Sequence, residues 1–246
     1  LIYLFALCSF SQGFIWDDKV KEQMESQFTA VEHTTRSISP SSFSLEKYTP
    51  KYILDQEETA MCVAYALANC RTIIYAKNKR INKDDILDYS FSPFFLYYLT
   101  KKDLNDKKCS SGLVPSSAID YLEEYGIAPL RDVEYPNYHP FTKKFLCDYY
   151  PPTYRDDIKN AYKYRVDDVR NINPEIYENR KLIDILKQEL SSGKPIFFGM
   201  APFPNSLWSL NGNDFWDPND SARCEGFAKT QGRRCNRKVK FYYQHF

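Results

Sequence analysis

Apolar residues recur with the period of a helix along most of the chain, and with that of a strand in only two short places. Val63, Leu67, Cys70 and Ile74 fall at i, i+4, i+7 and i+11. That spacing lines one face of a helix that begins at Cys62. In DYSFSPFFLYYL, Ser92 followed by Pro93 supplies an N-cap and a first-turn residue. Phe94, Phe95, Tyr97, Tyr98 and Leu99 then make this second helix apolar nearly all round, so it should be mostly buried. Pro115 and Ser116 open a third helix with Ala118, Ile119, Leu122 and Tyr125 on its apolar face, and Gly126 stops it. A polar helical stretch follows from Arg155 to Tyr164. Residues 178–190 are amphipathic, with Leu182, Ile185, Leu186 and Leu190 on one face and Gly193 as the stop. The strand-like runs are Tyr52-Ile53-Leu54, just after the helix-breaking Pro50, and PIFFGM from Pro195 to Met200. Between these elements lie a basic polar connection (Lys77 to Asp85), a Tyr- and Pro-rich turn-filled loop (131–152) and a further loop (201–220).

The ends depart from this pattern. Residues 1–10, LIYLFALCSF, are almost wholly apolar and are followed by Ser11, Gln12 and Gly13. Ten apolar residues are too few to span a bilayer and suit the core of a signal peptide, so residues 1–13 read as its remnant; a buried terminal strand or helix is the alternative. Residues 14–48 are polar, contain SISPSSFS, and read as a linker or a short pro-segment. The folded body is expected over 49–222. Residues 223–246 hold seven Lys or Arg against Glu225 alone, leaving 26 basic and 31 acidic residues before them. They read as a basic tail without apolar periodicity.

A hydrophobic fraction of 43% and a charged fraction of 26% describe a folded protein. The net charge of +1 offers no argument for a nucleic-acid partner. A monomer without a stable membrane span is expected. The 20 tyrosines supply apolar area with a hydroxyl that needs a partner, which predicts many half-buried rings. Seven cysteines is an odd number, so at least one thiol stays unpaired. Cys224, Cys235 and His245 lack any familiar zinc-ligand spacing, and neither a metal nor a cofactor is expected.

The chemistry concentrates in DQEETAMCVAYALANC, residues 55–70. A thiol in the first turn of a helix feels the partial positive charge of unpaired N–H groups, which favours the nucleophilic thiolate. Gln56, six residues upstream of Cys62, can aim its side-chain NH2 at an oxygen that turns negative when a thiolate attacks a carbonyl. The plain alternative is a small buried residue in a core helix.

Five ordered blocks resemble the papain-like cysteine peptidases, in particular the compact branch without a long pro-domain. DQEETAMCVAYALA is similar to the nucleophile motif DQGxxGxCxAFA, and SPFFLYY to the SPQxLxY helix that follows it. SSGLVPSSAIDYLEEYGI resembles the GG…ALxYxxxxGI block. Glu134-Tyr135-Pro136 falls at the "YPY" region, and LKQELSSGKPIFFGM resembles LxxxLxxGKPVxFGI. The resemblance runs from about Ser44 to Trp216. It implies an α+β, two-lobed fold with a helical left domain and a β-rich right domain, and a cleft between them. It implies Cys62 as nucleophile, Gln56 as oxyanion donor, Ser111 and Gly112 as a ledge that hydrogen-bonds substrate backbone, and a peptide or protein substrate cleaved through a thioester. A secreted or lysosome-like location goes with it.

The departures shape the remaining expectations. Glu57 replaces a glycine, Met61 a small residue, and Thr59 stands where many members have a disulfide cysteine. Cys70 and Cys109 therefore need other partners or stay free. Glu57 and Glu58 add negative charge that opposes the thiolate. The mechanism also needs a histidine to pair with the thiolate and an Asn or Asp to orient it. Of the three histidines, His33 precedes Cys62, His139 lies in the wrong block and His245 lacks the family's GGHA context. The expected reading is a right domain truncated or frame-shifted after about residue 222, in a chain with impaired turnover. A non-catalytic secreted peptide-binding module is the competing reading, and a structural protein assembling through tyrosines is a third.

Overall fold

The computed structural model describes residues 19, 22, 42–52, 54, 56, 59–101, 109–133, 154–167, 169–172, 179–199 and 242–245. The predicted helices are present. Helix α1 spans Cys62–Lys79 and buries Val63, Leu67 and Cys70, with Ile74 half-buried, as the spacing requires. It also buries Ala64, Tyr65, Ala68, Arg71 and Thr72, so most of its circumference is covered. It stops at Arg80, whose φ of 55° is left-handed; the Arg80 N–H returns to Ala76 and Lys77, and the Ile81 N–H to Ala76. Helix α2 spans Pro93–Thr100. Its N-cap Ser92 accepts the Phe95 N–H at 3.1 Å, and Pro93 opens the first turn. Helix α3 spans Pro115–Glu124, α4 Tyr154–Ala161 and α5 Asn179–Ser192.

Helices α2 and α3 pack against α1 around one apolar cluster that includes Met61, Leu67, Phe91, Phe94, Leu96, Leu113, Leu122 and Ile127. Arg71 is the charged member of this interior. Its Nε donates to the Tyr164 carbonyl at 2.8 Å, and its guanidinium lies 5.0 Å from the Phe91 ring centre and 5.6 Å from that of Tyr75. Burial pulls the Arg71 pKa down, while nearby Tyr75, Tyr164 and Asp167 oppose that shift. Phe91, Tyr75 and Tyr164 meet edge to face at 5.1–5.7 Å, so the cation sits among rings that offer it their negative faces.

Strands β1 (Arg170–Ile172), β2 (Ile196–Gly199) and β3 (Tyr242–His245) form a sheet in the order β1-β3-β2. β1 and β3 are antiparallel, with Arg170 opposite His245 and Ile172 opposite Tyr243. Ile172, Leu182, Ile185 and Leu186 make a second, smaller apolar cluster with Ile196 packed on it, so the amphipathic face of α5 is buried against the strands. Gly193 ends α5 at φ +92°, and the Lys194 N–H returns to the Glu189 carbonyl. The Lys77 ammonium, from the last turn of α1, donates to the Ser192 carbonyl at 2.6 Å. A cation at that end satisfies carbonyls that helix geometry leaves open. By compactness the chain divides into residues 1–197 with 243–246, and residues 198–242.

Five elements differ from expectation. Residues 51 and 52 bend instead of extending, and Tyr52 is exposed. The connection after α1 contains a 3-10 helix, Lys83–Tyr89, which buries Ile86 alone and carries Asp84 and Asp85 in its first turn. One apolar anchor in seven residues leaves no period to read. Glu46–Tyr48 is a further single 3-10 turn. β1 lies in sequence too polar to signal a strand, and β3 falls within the stretch read as a basic tail; backbone pairing joins them.

Gly126 follows α3 at φ +82° and is buried, and a Cβ there would run into the Ala161 carbonyl at the end of α4. Gly126→Ala should therefore lower unfolding stability by about 1–3 kcal/mol, measured by chemical denaturation, from the backbone strain and the overlap together.

Candidate active site

The segment before α1 is a turn closed on itself. The Thr59 N–H and hydroxyl both donate to the Gln56 carbonyl, at 3.2 and 2.6 Å. The Gln56 amide returns the bond, its Nε2 donating to the Thr59 carbonyl at 3.0 Å. Gln56, Thr59, Ala60 and Met61 are all buried. A primary amide has two N–H donors. One of Gln56's is spent on holding the side chain still, and the other is left to act on something else.

Cys62 is the first residue of α1 and is half-buried. Met61, at the N-cap position, makes no side-chain hydrogen bond to the helix, and the first turn holds no acid. The N-cap side chain therefore does not neutralise the positive end of this largely buried helix where the thiol sits, and that end favours an anion. Cys70 is the contrast. Both cysteines carry thiols. Cys70, two turns further along, is buried, and desolvation pushes its pKa from 9.0 up to about 12. One helix thus holds one thiol at its polar end and one sealed in the core.

The segment 109–112 lies beside this turn. The Ala60 N–H donates to the Cys109 carbonyl at 2.7 Å. Cys109 has a left-handed φ of 51°, is fully buried and is half of a disulfide. Ser111 is half-buried, and its carbonyl accepts the Tyr97 hydroxyl at 2.6 Å. Gly112 follows and is buried. The Ala60–Cys109 bond thus joins the Gln56 turn to the segment that carries Ser111 and Gly112, and the Tyr97 bond joins that segment to α2.

Two contributors were not singled out for the site from sequence. Thr59 was noted only as a replaced cysteine, yet its hydroxyl closes the Gln56 turn. Tyr97 was counted as an apolar face residue. Its signal was available, because a tyrosine in an all-round apolar helix needs a partner for its hydroxyl. Glu57, Glu58, His33 and His139 lie outside the described residues, as do residues 1–13, most of 14–41 and 223–241. His245 is described only as backbone, in β3 opposite Arg170. Among the described residues no cluster of His, Cys, Asp or Glu is arranged to hold a metal ion, and no helix is long and apolar enough to cross a membrane.

No protein-family model and no curated protein matches the chain. Among solved structures it is similar to xylellain, a cysteine protease from Xylella fastidiosa, with 21% identity and a TM-score of 0.52 over 72% of this chain. The match covers 62% of the xylellain chain. At that identity the likeness shows the fold: the α+β arrangement of a cysteine protease.

The two thiols should separate cleanly in the native protein. Iodoacetamide should alkylate Cys62 while sparing Cys70 until denaturant is added, read by peptide mass spectrometry. The raised Cys70 pKa also fixes a sign. Its contribution to stability is intact below the ordinary thiol value and is lost as pH rises through the window from 9.0 to about 12. Over that window wild type should lose up to about 4 kcal/mol more than Cys70→Val, compared by denaturant midpoints at each pH.

Proposed function

We propose that the chain is a papain-like cysteine peptidase by ancestry and chemistry, with two lobes, in which Cys62 forms a thioester with the acyl part of a peptide. The observation that carries this reading is Cys62 as the first residue of α1, six residues after a Gln56 amide held in the preceding turn by Thr59. The likeness in fold to a cysteine protease supports it. In the reaction, the Cys62 sulfur attacks the substrate carbonyl and the carbonyl oxygen becomes an anion. The second Gln56 N–H stabilises that anion, the amine leaves with a proton, and water then releases the acid. Ser111 and Gly112 would hold the substrate backbone alongside.

The leaving amine needs a proton donor, and the 246 residues hold no histidine in the motif the mechanism uses. We infer that this chain acylates readily on activated substrates and turns over slowly on peptides. The Cys109 disulfide supports an oxidising location, secreted or lysosome-like. The same lack of a matched histidine favours the second reading, a peptide-binding module that uses the site without catalysis.

A peptidyl p-nitrophenyl ester distinguishes these. The expected result is a burst of one equivalent of p-nitrophenolate and a slow steady state, with the acyl group found on Cys62. Cys62→Ala should abolish the burst. Gln56→Ala should slow it by about 10²–10³, the usual cost of one oxyanion donor. Rapid hydrolysis of a fluorogenic dipeptide, lost in Cys62→Ala, would overturn the impairment. Binding of the ester without any burst would favour the module.

A further inference from the structure

The Tyr97 hydroxyl does more than fill a core helix. Tyr97 is fully buried on α2, and its hydroxyl reaches 2.6 Å to the Ser111 carbonyl. That carbonyl shares a peptide unit with the Gly112 N–H. No cis peptide is found in the described backbone. In a trans unit the C=O and N–H point in opposite directions. Turning the Ser111 carbonyl toward α2 therefore turns the Gly112 N–H away from it. Among the described residues none accepts from that N–H. A donor of this kind in a buried residue calls for an acceptor. The chain leading into this unit is anchored as well, because the Cys109 carbonyl two residues earlier accepts the Ala60 N–H. Glycine at 112 adds no side chain to keep a ligand's backbone at a distance.

We propose that Tyr97 is a positioning residue: its hydroxyl fixes the direction of the Gly112 N–H, and so sets the site's preference for a ligand that offers a backbone carbonyl. This rests on the peptidase-like reading of Cys62 given above. Without the hydroxyl the 111–112 peptide can rotate, and the donor loses its aim while the thiol keeps its surroundings.

The test uses Tyr97→Phe, which keeps the ring in the core, and two probes for Cys62. One is a peptidyl epoxide. The other is its analogue with the backbone carbonyl reduced to methylene. Wild type should react faster with the first, and Tyr97→Phe should lose about tenfold of that discrimination, the worth of one well-aimed hydrogen bond. The rate with iodoacetamide, which has no peptide backbone to read, should stay the same. Hydrogen exchange at the Gly112 amide should change in Tyr97→Phe without any ligand. Full discrimination retained in Tyr97→Phe, or an unaltered Gly112 exchange rate, would overturn the role of Tyr97 alone. Wild type that fails to prefer the carbonyl-bearing epoxide would overturn both this role and the reading it rests on.

Discussion

A helix buried on most of its sides is free to meet solvent and ligand only at its ends, and α1 is such a helix. Its flanks are committed to α2 and α3, and its own Arg71 reaches out to the Tyr164 carbonyl. Its position is therefore set by the whole helical cluster, and its first residue inherits that rigidity. A nucleophile placed there needs no loop to carry it. The remaining question is how the groups around the thiol are held, and the answer is by short hydrogen bonds between segments close in space. The Gln56–Thr59 turn closes on itself, Ala60 joins it to Cys109, and Tyr97 holds Ser111. Each bond is modest, on the order of 1 kcal/mol net. Together they immobilise the site because every one of them is buried or half-buried, where an unmade bond costs more than a made one gains.

The helices were legible because their signals are local. Ser92-Pro93 announces a helix start wherever it stands, and the structure has the cap bond to Phe95. Gly126 and Gly193 announce stops, and both adopt the left-handed backbone that only glycine takes without cost. Among the described strands β2 was legible as the apolar run PIFFGM, and β1 and β3 were not. Ile172 is fully buried in β1, but it stands alone between polar neighbours, so no period of two could reveal it. β3 draws its definition from a partner more than seventy residues away, which a local reading cannot supply.

The site divides the same way. Cys62 and Gln56 could be found because their separation is fixed along the chain. Ser111 and Gly112 came from resemblance, because nothing in their own sequence distinguishes them from any Ser-Gly turn. Thr59 and Tyr97 act through bonds whose partners lie on backbone atoms, and backbone atoms leave no mark in the sequence. The disulfide at Cys109 is a further case: spacing allowed several fates for that cysteine, and only packing selects one.

The contact between Lys77 and the end of α5 has a consequence for how the sequence can drift. The ammonium occupies the space that any side chain at residue 193 would need, and it satisfies the Ser192 carbonyl from there. A replacement at 193 would meet both a backbone conformation that suits glycine and an occupied neighbour. Shortening Lys77 would clear the space but uncap the helix. The lysine is long enough to swing aside, so a change at 193 acts on a position 116 residues earlier in the chain by displacing its ammonium from the Ser192 carbonyl.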